Sequence, residues 1–394
     1  VCASGCDFTD LNGAVHNAFV NSWDFVKINI SGGDYPFPQY GTPSFSEYPA
    51  HLWIRGISAD GKTFPHIWAI SATGPAFETS LVTSGTGLAS FTMDNMEIGP
   101  WGQKAMQPVD DTTWTLRNVY VYDTLDGLES ANRVDTTINI YNSVFARNGG
   151  GSGPDHNVYI GAGGCCGSGG VGNVVNVINS VFEQANLGHS FKTRAKQNNL
   201  TCSMFLLNAD NVYLGSQDID IDWGAPIINK SLLLQGNGAG ITWNNQNAWD
   251  NEKAFADNEA GRTAVPLLYN EVVTNTNIVN DQSGNTVWPM VIAERFTGPN
   301  PVPATWSGNN FVWSNPNSRD LSGNGTTPGG EVTTQHNGNI ADVNLDNTNH
   351  TYTSWSAAGF TVPTNAEPYG WRDFLPMMPT GCTDPIGLVK IPAS

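Results

Sequence analysis

Positive charge is scarce in this chain. Its 394 residues hold 17 Lys and Arg against 35 Asp and Glu, a formal net charge of −18, and only 13% of residues are charged. Such a surface repels nucleic acid and anionic membranes, and no basic tail offsets it, so neither is expected as a partner. Long apolar runs are missing too. None approaches the roughly 18 residues of a membrane-spanning helix. Cysteine is limited to six residues, with no His at zinc-finger spacing beside them, which argues against a structural zinc.

The residues that are abundant point to a large, turn-rich β protein. Hydrophobic residues make up 39% of the chain, with 43 Gly and 13 Trp, enough for a sizeable core. The six cysteines fit an oxidising compartment. Cys2 and Cys6 are spaced for a small clip, and one of Cys165 and Cys166 is expected to reach Cys202, although six cysteines allow 15 pairings. The opening VCASGCDF, without Met or leader, reads as a mature secreted chain. Sequons at Asn29, Asn199, Asn229, Asn324 and Asn349 add weak support for secretion.

The stretch from Asp155 to Asn244 organises the rest. DHNVYIG at Asp155–Gly161, GHSFKTRA at Gly188–Ala195 and QDIDIDWG at Gln217–Gly224 each alternate apolar and polar residues, as a half-buried strand does. Aligning Val158 and Ile160 with Phe191 and Thr193, then with Ile219 and Ile221, puts the other residues in three outward columns. These are Asn157, Ser190 and Asp218; Tyr159, Lys192 and Asp220; and Gly161, Arg194 and Asp222. The middle column steps by 33 and then 28 residues, the length of one loop-bearing coil. The same phase reaches back to Glu129 and forward to Thr242 and Asn244. Each column is then a ladder with rungs about 4.8 Å apart.

Elsewhere the chain keeps a similar beat. Leu11, Ala14, Val15, Ala18 and Phe19 fall at helical spacing, with Thr9 as N-cap, which predicts a short helix covering the open end of a coil stack. His16 lies on its polar face and reads as solvated surface. Asn95, Asn118 and Asn142 recur at steps of 23 and 24 residues, and Asn179 follows after a Gly-rich insert. Asn229 repeats the pattern later. Repeated Asn at one coil position reads as a side-chain ladder at a turn. Beyond Val291 the register fades into Pro, Asn, Gly, Ser and Thr. The expected organisation is an N-terminal cap over 1–25, a β-helix over 26–291, and a loop-rich C-terminal region over 292–394 in which YGWRDFLPMMPTGC packs rather than acts.

This pattern resembles the right-handed parallel β-helix of the pectate-lyase-like superfamily over roughly Phe8 to Val291. HN-x-YIG followed by GH-x-x-K-x-RA is similar to motifs in secreted bacterial β-helix proteins. The resemblance implies an all-β fold, a single right-handed parallel β-helix with an N-terminal capping helix, expected as a monomer. It does not fix activity. GHS here precedes the aspartates and no Gly-His-Gly occurs, unlike the polygalacturonase pattern. In β-helix lyases of the superfamily a Lys or Arg commonly acts at the reacting carbon.

Chemistry concentrates on the ladder. Lys192, Arg194 and Lys196 make a positive island in an acidic chain. A lyase acting on a uronate needs a cation to neutralise the carboxylate and a base to remove the C5 proton. Arg194 suits two-point carboxylate binding. Lys192, Tyr159 and His189 are the candidate bases, and Tyr159 or His156 the donor to the leaving oxygen. The competing view is a salt-bridge ladder, Lys192 with Asp220 and Arg194 with Asp222, worth about 0–1 kcal/mol per exposed pair. His156 and His189 share parity with the core and also read as turn histidines hydrogen-bonded into the coil. A hydrolase reading uses Asp220 and Asp222, whose Cα atoms lie about 6.6 Å apart on one strand face. No cofactor is required, but Asp218, Asp220 and Asp222 give a calcium alternative, a Ca2+ bridging the wall and a uronate. Asn157, Glu129, Asp218, Trp243 and Asn244 are the candidate substrate contacts. A non-catalytic glycan-binding or adhesive β-helix, using exposed aromatics such as Trp243 and Trp249, completes the alternatives.

Overall fold

The computed structural model describes residues 5, 7–9, 11–36, 48–58, 63–69, 77–79, 88–102, 104–108, 111–130, 136–149, 155–161, 173–186, 188–206, 219–221, 225–235, 239–243, 271–274, 276–280, 288–292, 304–312, 332–334, 343–345, 349–352, 354–361 and 371–382. They form a parallel β-helix. A typical coil supplies three strands, as in Thr137–Tyr141, Val144–Ala146 and Val158–Ile160, then Val174–Ile178, Val181–Glu183 and Phe191–Thr193, whereas Ser90–Trp101 and Thr113–Tyr122 each run through the first corner unbroken. Every pairing between coils is parallel, so the strands stack into three walls around a common interior.

The alternation in each strand decides what fills that interior. Phe145, Phe182 and Phe205 occupy one position on three successive coils and stack with centroids 5.5 and 5.1 Å apart. Phe191 packs edge-on against Phe182 and Phe205. Such aromatic pairs add about 0.5–1.5 kcal/mol beyond the area they bury.

Asn at the first corner is explained by backbone conformation. Asn95, Asn118, Asn142 and Asn179 all hold positive φ between 48° and 58°, a region in which Asn is several-fold enriched. Asn118 donates to the Asn95 side chain at 2.8 Å. On the next coils the corner residue is Cys202 and then Lys230. Asn229 therefore lies one residue before the corner, at the end of its strand. The extra residue in Asn-Lys-Ser hid this, because the pattern aligns on the serine. Ser143, Ser180, Ser203 and Ser231 form a buried ladder, each backbone N–H donating to the next hydroxyl at 3.2–3.3 Å.

The ends also differ in detail from expectation. Helix α1, Leu11–Val20, buries Leu11, Ala14, Val15 and Ala18, and His16 is exposed. Past residue 291, parallel pairing continues through Ala304–Ser307, Asn310–Val312, Val343–Leu345 and His350–Tyr352. These strands are only three or four residues long, too short to show alternation. The 3-10 helix Trp371–Met377 then lies against the second wall and buries Trp371, Phe374 and Met377. Cys382 just beyond it is bonded to Cys202. That corrects the expected partnership of Cys202 with Cys165 or Cys166: the partner is 180 residues away in sequence but adjacent in space. Cys2, Cys6, Cys165 and Cys166 lie outside the described residues.

Candidate functional site

The third wall carries the ladder. Val158, Tyr159 and Ile160 pair with Phe191, Lys192 and Thr193, and these with Ile219, Asp220 and Ile221. Glu129 precedes Tyr159 in the column and Thr242 follows Asp220. Val158, Ile160, Phe191, Ile219 and Ile221 are fully buried, so Glu129, Tyr159, Lys192 and Asp220 share the outer face, as the apolar phase predicts. A slip of one residue would have turned all four inward.

Charges on this face are paired. Lys192 Nζ donates to Asp220 Oδ2 at 2.6 Å, and Lys104 forms an ion pair with Glu129. The Arg194 guanidinium sits 5.7 Å from the centre of the Tyr159 ring, within cation–π range. The positive island is thus partly neutralised in place, and Lys192 is the cation of a pair rather than a free amine.

A second column stands at the turn before these strands and consists of Asp126, His156 and His189. Asp126 Oδ1 accepts the His156 backbone N–H at 2.7 Å. The His156 ring stacks on His189 at 4.9 Å, and its Nδ1 accepts the His189 backbone N–H at 2.9 Å. His189 Nε2 lies 3.3 Å from Asp220 Oδ2, the oxygen that also binds Lys192. Burial, with His156 and Lys192 nearby, holds His189 well below the usual histidine range, so the ring is neutral at neutral pH. Burial pushes the Asp126 carboxyl up to about 7 despite the N–H it accepts, and Glu129 and Asp155 add to that rise.

Gly188 makes the stack possible. A Cβ there would lie 1.9 Å from the Asp155 carbonyl oxygen and 2.5 Å from His156 Nδ1. Backbone cannot yield that far, so Gly188→Ala is expected to destabilise the protein by about 1–3 kcal/mol through overpacking. The accompanying sign is loss of the His156–His189 contact, read as a change in histidine ring shifts by NMR.

One expected column needs correction. Asn157 and Ser190 do not face outward; both are fully buried. Asn157 Oδ1 accepts from Asn148 N and Nδ2, and its Nδ2 donates to the Glu183 carbonyl oxygen. Those bonds stitch the coil together and remove Asn157 from the substrate contacts. The cause is local: these residues precede the strand, where the alternation has not begun. Asp218, Asp222, Asn244 and Trp249 lie outside the described residues, and of Trp243 only the strand position is described. The calcium reading therefore has only Asp220 within view, facing Lys192 and His189. Among the described residues no group of three or more His, Cys, Asp or Glu could hold a metal.

Asp126 and Lys104 join the candidate site without having been singled out in the sequence. Asp126 was findable, because extending the His156–His189 column back one coil from the Leu128–Val158 pairing reaches it. Lys104 is reached in the same way, since the Met106–Leu128 pairing puts it one coil before Asp126 in that column. Together the wall offers the Tyr159 phenol, the neutral His189 imidazole, the basic side chains of Lys104, Lys192 and Arg194, and the carboxyls of Glu129 and Asp220 within a few rungs. Compared with protein-family models, curated proteins and solved structures, the chain matches none.

Proposed function

We propose that the third wall acts on an acidic polysaccharide outside the cell by β-elimination at a uronate, on a scaffold of the pectate-lyase-like kind. The observation that carries this reading is the neutral His189 held beside Lys192 and Asp220, with Arg194 on the same coil and Tyr159 one rung away. Lys192, already an ammonium paired with Asp220, is not the base. Its part, with Arg194, is to neutralise the uronate carboxylate and so lower the cost of charge at C5. His189, its Nε2 3.3 Å from Asp220 Oδ2, is the base that accepts the C5 proton. Tyr159 gives its phenolic proton to the leaving oxygen as the C4–O bond breaks. No cofactor is assigned a step.

Hydrolysis through Asp220 stands second, because an inverting mechanism needs one protonated carboxyl and Lys192 favours the carboxylate. A panel of uronate and neutral polysaccharides separates the readings. Elimination yields an unsaturated, ultraviolet-absorbing product from a uronate polymer. Saturated reducing-end products would move the assignment to hydrolysis, and binding without cleavage to an adhesive role.

A further inference from the structure

Behind the wall runs a chain of four side chains on four successive coils: Asp126, His156, His189 and Asp220. The first two links are hydrogen bonds in which Asp126 and then His156 accept a backbone N–H, and the third is a 3.3 Å approach of His189 Nε2 to Asp220 Oδ2. We infer that Asp126 and His156 are positioning residues that set the ring orientation and tautomer of His189. The catalytic consequence rests on the elimination reading above; the structural content does not.

His156 Nδ1 accepts a backbone N–H, so it has no proton of its own, and the neutral ring carries its hydrogen on Nε2. Protonating Nδ1 would set N–H against N–H and release the turn at His189. The turn is further tied by Asp126, whose oxygen fixes the His156 backbone, and by the close approach that Gly188 permits. His189, stacked nearly parallel to His156 at 10°, is left with one way to meet Asp220, through Nε2. Charged and titratable groups around the pair are Tyr159, Lys192 and Asp220 on the wall, Asp155 before His156, and Glu129 with its partner Lys104. No substrate contact is needed from Asp126, which is 4% exposed.

The test reads tautomers directly. In protein labelled with 15N-histidine, both rings are expected in the Nε2–H form, with His189 unchanged from about pH 8 to about pH 5.5. His156→Phe keeps the stack but removes the acceptor. His189 is then expected to show mixed tautomers and to titrate inside that window, with kcat lowered about tenfold or more and KM nearly constant. His156→Gln, which returns an acceptor oxygen, should recover part of both. Should His156→Phe fail to fold, Asp126→Leu set against Asp126→Asn asks the same question, since Asn keeps an oxygen for the His156 N–H. An unchanged His189 tautomer and titration in these variants overturns the positioning role. A shifted His189 in a protein that eliminates no uronate leaves the positioning chain standing and removes the lyase reading instead.

Discussion

Lys192→Ala is expected to lose turnover by about 10²-fold or more on the uronate polymer, the scale of a lost charge-stabilising group at a reacting centre. Stability must be separated from chemistry here. Lys192 is paired with Asp220, and their side chains are only 18% and 8% exposed. Removing one partner of so buried a pair leaves a charge uncompensated, at about 3–5 kcal/mol. A salt-bridge ladder with no catalytic role predicts that loss and nothing more. The double variant Lys192→Ala/Asp220→Asn distinguishes the two, because it has no orphaned charge. Its melting temperature should recover much of the loss while turnover stays low; recovery of turnover would make the pair structural. Arg194→Lys is expected to fail as a substitute, since an ammonium cannot reproduce two-point binding of a carboxylate or the stack on Tyr159.

The register of the wall was legible in the sequence because a strand with one buried face has a period of two. Val158, Ile160, Phe191, Ile219 and Ile221 each announce the interior, and Tyr159, Lys192 and Asp220 then have nowhere to go but outward. Period two holds only inside the strand, and these strands are three residues long. One step before them the chain turns, so Asn157 and Ser190 point inward although their parity says otherwise. His156 and His189 could be read as core or as site from parity alone. They are both buried and joined to the wall through Asp220. Contacts between distant segments left no local trace. Neither the bond from Cys202 to Cys382 nor the seat of Trp371 on Glu183 follows from any spacing.

That seat governs the second prediction. Glu183 ends the strand Val181–Glu183 on the outer face of the second wall, and the C-terminal 3-10 helix covers it, leaving it 5% exposed. Its Oε2 accepts the Trp371 backbone N–H at 2.9 Å. Burial pushes the carboxyl up to about 7; the Trp371 N–H, Arg147 and Arg372 pull the other way without winning. A carboxyl raised on folding binds its proton more tightly in the folded state. Its contribution to stability is fully present below the unfolded value of about 4.3 and fades as pH rises, until it is gone above about 7. At about 1.4 kcal/mol per pKa unit the span is about 4 kcal/mol. Glu183→Gln keeps an oxygen for Trp371 and cannot ionise. Relative to wild type it is expected to gain stability steadily from about pH 5 to about pH 8, approaching that span at the upper end. Urea unfolding of both proteins at several pH values measures the difference directly, and the shared contribution of Asp126 cancels. Parallel stability curves would mean that the strap opens to let water reach Glu183 in the folded protein. A variant less stable than wild type at about pH 8 would mean that the ionised carboxylate, held by Arg147 and Arg372, is what binds the strap down.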